Sequence, residues 1–298
     1  MERYLNAVYS TQRLWLPLSL IFSAALAAVL PVQISEVSDL INIIDRWSAV
    51  TVAFTSGFFI STNKFLHYAR KPRIHLFVVI ISLVFIPIFT EITTYLLTVT
   101  NVIDSDDFIE GLIITSCMPA SFRSVVTLTF DGLGNETSAM ISVILCKYLA
   151  VVVTPLWITI FLGSAEVSTI RESLWGLNST LLGPFVLGHA IQRLTDFHNE
   201  MVMPFDIAMK VILLFNFYVA ASQLSQELEI YRPLEMLTLF ITVAITLTVL
   251  KLIIAKISDI MELDPESRNS IAITYAATHK SLRSATSSMN KSVISSVA

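Results

Sequence analysis

Apolar residues come in long windows along this chain, separated by short polar joints. A membrane-spanning helix needs about 20 mainly apolar residues. Windows of that kind lie near 14–31, 47–61, 74–99, 109–130, 138–162, 178–192, 207–224 and 234–256, and a shorter ninth runs from Ile271 to Leu282. The pattern predicts an all-α polytopic membrane protein with about nine spans. The first window follows Arg3 and Arg13, as the apolar core of a signal peptide would. No small-residue cleavage site precedes the acidic stretch after it, so it reads as a retained span.

Composition agrees with the windows. Of 298 residues, 54% are hydrophobic and only 14% charged, and the mean hydropathy is +0.72; an ordinary soluble domain is roughly one-quarter charged. Residues 1–298 therefore read as one integral-membrane domain whose partner is the lipid bilayer. A net charge of −4 is too small to suggest nucleic acid. Cys117 and Cys146 both fall in apolar windows, which makes them packing residues; no disulfide, metal or cofactor is expected.

Basic residues in short loops set the orientation of a membrane protein. The joint after the second window holds Lys64, His67, Arg70, Lys71 and Arg73, while the joints after the first and third hold Glu36, Asp39 and Asp45, then Asp104, Asp106 and Asp107. This places the basic joint and the N-terminus in the cytoplasm. The Asn-x-Ser/Thr sequons at Asn135, Asn178 and Asn290 read as chance matches, Asn135 lying on the cytoplasmic side.

Two features interrupt the apolar windows. Prolines at 87, 119, 155 and 184 sit within predicted spans, and a proline there frees a backbone carbonyl that must be packed or line a cavity. Charges sit there too: Glu91, Arg123, Lys147 and Lys280, with His279 beside the last. Each such charge costs at least ~2.5 kcal/mol to insert, which makes it a functional candidate. Pro119 lies among Cys117, Ser121, Arg123 and Ser124; Lys280 lies among Thr278, His279 and Ser281. Polar, small-residue segments around a charge suit unwound helices at mid-membrane, and transporters bring two such segments together at their binding site.

The stretch from Gly111 to Gly163, with "CMP" at 117–119, "GNE" at 134–136 and "TPL" at 154–156, together with "THKSL" at 278–282 and "HLF" at 75–77, resembles the bile acid:sodium symporter superfamily. The resemblance covers about Gly57 to Leu282. It implies ten helices in two inverted five-helix repeats, with a panel domain (near 14–61 and 178–224) and a core domain (near 74–162 and 234–282). It also implies that broken helices four and nine cross at the substrate and ion site. In sodium-coupled relatives helix nine supplies a Glu and a Gln-Asn pair to the ion; the matching positions here are about Tyr275, His279 and Lys280.

Sodium wants hard oxygen donors, and an ammonium at that place repels a second cation. Two roles for Lys280 stay open: a resident cation donating to freed carbonyls and to Thr278 and Ser281, or a proton carrier with His279 as a second titrating group. Glu91 is the candidate counter-ion, for Arg123 on the neighbouring helix; if they do not pair, Arg123 with Lys280 would make an anion site. After Leu282 the tail 283–298 is polar and short, where the family continues into a tenth helix, so about nine of ten spans are expected and a truncated or alternatively spliced product is suspected.

Two functions follow. One is a carrier for an ion or small molecule, an organic anion by preference, working by alternating access without sodium coupling. The other is a non-transporting regulator that limits calcium entry through regulatory protein partners; the resemblance implies links to calcium homeostasis and to glycosaminoglycan and glycoprotein production, at the plasma membrane or in the endoplasmic reticulum and Golgi. An enzyme is not expected, because the spans carry neither a carboxylate pair nor a His-x-x-x-His metal spacing.

Overall fold

In the computed structural model the described residues are 18–30, 34–100, 106–163, 170–194, 202–227, 233–260, 268–278 and 280. They are overwhelmingly helical. In chain order the helices are α1 (Leu18–Val29), α2 (Ile34–Phe59), α3 (Thr62–Ala69), α4 (Pro72–Ile80), α5 (Ile86–Val99), α6 (Asp106–Cys117), α7 (Phe122–Asp131), α8 (Glu136–Leu162), α9 (Ile170–Leu177), α10 (Gly183–Leu194), α11 (Val202–Glu227), α12 (Pro233–Ile260) and α13 (Arg268–Thr278). Two π-helical turns, Ile81–Phe85 and Asn178–Leu182, join α4 to α5 and α9 to α10.

Two continuous helices are long and apolar enough to cross a bilayer among the described residues: Pro72–Val99, 28 residues, and Glu136–Leu162, 27 residues. At 1.5 Å per residue each exceeds the roughly 30 Å hydrocarbon core. Leu18–Val29, Phe108–Cys117, Ile207–Ser222 and Ile241–Ile254 are shorter apolar stretches.

Helix ends depart from the expected joints. Asp39 and Asp45 lie inside α2, and Lys64 and His67 lie on α3, a short helix with no buried residue. The reason is physical: hydropathy falls where side chains meet water, but the backbone ladder continues as long as each N–H finds a carbonyl four residues back. Asp104 falls outside the described residues.

The chain divides into two compact units, residues 1–59 with 180–232, and residues 60–179 with 233–298. In the first, α2 packs on α10 through a reciprocal glycine contact. A Cβ on Gly57 would lie 2.0 Å from the Phe185 carbonyl oxygen, and one on Gly188 would lie 2.1 Å from that of Phe54. Each helix thus offers a Phe-x-x-Gly turn to the other, and the bare glycine surface lets the backbones approach as membrane helices do. The α1 helix is tied to α11 by polar side chains: Ser23 donates to the Leu214 carbonyl at 3.5 Å, Ser225 to Ala27 at 3.3 Å, and Tyr218 to Leu30 at 2.6 Å.

In the second unit α8 runs against α3, α4, α6, α7 and α13. Asn135 starts it: its side-chain oxygen accepts from Ser138 N at 3.2 Å, and its amide donates to the Asn269 side chain on α13 at 2.7 Å. One residue so caps α8 and fastens α13 to it. Burial of Asn135, 9% exposed, also closes this sequon to a glycosyl carrier. Replacing Asn135 by Ala removes a cap and a buried pair, for a combined loss of about 2 kcal/mol; thermal melting of the purified protein in detergent checks it, and an unchanged midpoint would refute the double role.

Candidate functional site

Helix α6 stops at Cys117 for reasons already visible in its sequence. Pro119 has no N–H to continue the ladder, and α7 restarts only at Phe122 after an extended Ser121 (φ −75°, ψ 115°). The described part of α13 ends at Thr278. Two residues on, Lys280 meets the break between α6 and α7: Ala120 and Lys280 form an isolated antiparallel β-bridge. Two residues from distant parts of the chain are thus paired through their backbones.

A third interruption borders the same place. The Ile86 N–H reaches back five residues to the Ile81 carbonyl, the π register. The next donor in that register would be Pro87, which has none, so the Ser82 carbonyl loses its helical partner; in α register the same missing N–H would have served Leu83. Freed carbonyls inside a membrane must find other donors, and side chains reach four carbonyls at these interruptions. Lys280 Nζ donates to the Ser82 carbonyl, to Ser82 Oγ at 3.3 Å and to the Met118 carbonyl at 2.9 Å. Trp157 Nε1 donates to the Leu83 carbonyl at 2.7 Å, and Thr154 Oγ1 to the Cys117 carbonyl at 2.8 Å. Side chains of α8 and one ammonium together close the breaks.

The remaining expected residues take varied positions. Cys117 is 1% exposed and packs against the Ser116 hydroxyl. Ser124 donates to Ser121 Oγ at 3.2 Å in the first turn of α7, and Arg123 beside it is half-buried. Thr278 does not serve Lys280 in the expected way: its hydroxyl turns back to the Thr274 carbonyl at 2.7 Å, the usual outlet for a Thr inside a helix. Glu91 is half-buried on α5, and its Oε2 is buried with no hydrogen-bond partner, which leaves the expected pairing with Arg123 unmade at that atom. His279 and Ser281 lie outside the described residues.

Ser82, Thr154 and Trp157 are the site residues that sequence reasoning missed. Thr154 lies within the quoted "TPL", and Pro87 was the available signal for Ser82, since a proline's missing N–H names the carbonyls it leaves open.

A family model described as the SBF-like CPA transporter family matches residues 14–296. The chain belongs to that family. Among curated proteins it is similar to sodium/bile acid cotransporter 7 of Mus musculus, 28% identical over 239 residues that cover 79% of this chain and 69% of that protein. The protein of the same name from Danio rerio is 28% identical over 234 residues, 78% of this chain and 69% of that one. A shorter likeness, 37% identical over 84 residues, links it to the probable sodium/metabolite cotransporter BASS4, chloroplastic, of Oryza sativa subsp. indica, with 28% of this chain and 20% of that protein covered. Membership in the SBF-like CPA transporter family makes this a multipass membrane protein of the solute-carrier kind, acting on an ion or small molecule across a bilayer.

Within this SBF-like chain the Trp157 contact is open to a clean substitution. Trp157→Phe keeps an aromatic ring and removes the indole donor to the Leu83 carbonyl, so a loss of about 1–2 kcal/mol is expected. Denaturant or thermal unfolding in detergent reads it, and wild-type stability would show the carbonyl to be satisfied in another way.

Proposed function

We propose that this protein is a carrier moving a small organic anion by alternating access, with the meeting point of the two helix breaks as its substrate site and the panel and core division expected from the sequence. The observation that carries the reading is the Ala120–Lys280 bridge: irregular backbone at membrane depth is tolerated where it serves a buried or cavity-lining site. An anion is favoured because α7 begins at the break, which puts the positive end of its dipole there, with a basic residue, Arg123, in its first turn.

Sodium does not fit the oxygens recorded here. A sodium ion needs several oxygen ligands, and the Ser82 carbonyl, the Ser82 hydroxyl and the Met118 carbonyl already accept from the Lys280 ammonium. The proposed carrier therefore binds no sodium ion at this place, although the relatives carry that ion in their names. Residence in the plasma membrane or in endoplasmic reticulum and Golgi membranes with a cytoplasmic N-terminus, and a contribution to calcium balance and glycan production, complete the proposal.

A carrier must open the crossing to water on at least one side. Ser124→Cys tests this, because the native Cys117 and Cys146 are 1% and 0% exposed and leave little background. In sealed membranes, a membrane-impermeant methanethiosulfonate reagent should modify the introduced thiol from one face or from each in turn. Failure to label Ser124→Cys and Ser121→Cys from both faces, in folded protein, would end the carrier reading and favour a regulator working through partner proteins.

A further inference from the structure

The Lys280 ammonium has three N–H donors, and three oxygens surround it: the Ser82 carbonyl, Ser82 Oγ and the Met118 carbonyl. Two of these are backbone carbonyls released by separate interruptions, one at the π-turn before Pro87 and one at the break before Pro119. Carbonyls turned inward around one point, joined by a hydroxyl, are the donor set of a monovalent-cation site. Here the cation arrives on a four-carbon stem from a third segment of chain, and the bridge at Ala120 fixes that stem's root.

We propose that Lys280 fills a monovalent-cation site with a tethered cation, so that removing its stem opens a pocket that binds a small primary ammonium or a sodium ion. The inference rests on the crossing being the working site for its functional meaning, but its physical content is separate. A free ion that must enter and leave could gate the two breaks; a tethered one holds them together continuously. The site then needs no bound ion to be complete, and the carrier has no coupling step at this place.

Lys280→Ala removes three carbons and the ammonium, the shape of n-propylammonium. Purified wild type, Lys280→Ala and Lys280→Met are melted in detergent with increasing n-propylammonium chloride, sodium chloride or N-methylglucamine chloride at matched ionic strength. The expected result is a wild type that melts alike in all three salts, and a Lys280→Ala variant that melts lower and recovers saturably with n-propylammonium, or with sodium. Recovery with sodium alone supports the site as one for a bare ion. No recovery with either, or an equal rise in the wild type, overturns the proposal. Lys280→Met keeps the stem and should melt lower by roughly 5–10 °C without responding to either cation. If it melts as wild type does, the ammonium is dispensable and the proposal fails, whether or not Lys280→Ala folds. None of these readings uses labelling or flux, so a failed carrier reading and a failed cation site give different patterns.

Discussion

Replacing Gly188 by leucine is expected to leave little folded protein. A single added carbon at Gly188 would sit 2.1 Å from the Phe54 carbonyl oxygen, and the atom in the way is backbone, which cannot swing aside as a side chain does. The helices α2 and α10 would have to separate by more than 1 Å along their whole contact to restore ordinary spacing. That separation also breaks the mirrored contact at Gly57 with Phe185, so the loss is shared by one turn of each helix. Even Gly188→Ala should lower stability by about 3 kcal/mol or more, in the upper tail of single substitutions, and Gly57→Ala should match it. Thermal melting in detergent reads both, and a neutral alanine at either position would mean that the two helices are not in backbone contact.

Lys280→Met has the second large expected effect, through polarity where the glycine effect is steric. The methionine occupies a similar volume, so little packing is lost. What is lost is the donor for two backbone carbonyls and one hydroxyl in the interior of a membrane protein. A carbonyl deprived of its partner loses about 1–3 kcal/mol, and more when the donor is charged; with two carbonyls affected, about 3–5 kcal/mol is expected. Some of this is offset because an ammonium no longer has to be held away from water. The position within the fold sharpens the prediction: Trp157→Phe affects one carbonyl at the same interruption and should fall well short of Lys280→Met. The reverse order, measured by unfolding in one detergent, would place the main stabilising donor on α8 and not on Lys280.

Much of the fold was legible before the structure. The long apolar windows located most of the helices because hydropathy reports side chains that avoid water, and the longest windows, near 74–99 and 138–162, became the two helices that cross by length and composition. Pro119 gave away the interruption of its window, since a missing N–H stops a helix wherever it occurs. What hydropathy could not show was register. The π-turn at Ile81–Phe85 shifts the backbone ladder by one residue without changing the apolar pattern, so Ser82 looked like any small residue within a span. The glycine contact between α2 and α10 is equally silent in one sequence, because a glycine in an apolar window carries no sign of what approaches it. Charged ends of helices misled in the opposite direction: Asp39 and Asp45 read as a joint, yet their backbone stays helical within α2.

The candidate site was legible in its parts and not in its connections. Lys280, Pro119 and Arg123 stood out as a charge or a breaker in apolar surroundings. That Lys280 would reach Met118 and Ser82, while Thr278 turned back to its own helix, depended on where three interruptions fell in space. Glu91 shows the limit of pairing by sign alone: the adjacent helix offered an arginine, yet Oε2 has no hydrogen-bond partner among the described residues.

The most direct measurement is an experimental density map of the full chain in a lipid nanodisc, recorded once in sodium chloride and once in N-methylglucamine chloride. Continuous Lys280 side-chain density ending between the Ser82 and Met118 carbonyls in both salts, with the Ala120 bridge intact, is the expected result. A Lys280 side chain turned out of the crossing, with ion density in its place that appears only in sodium, would contradict the tethered cation and return this protein to the sodium-coupled carriers.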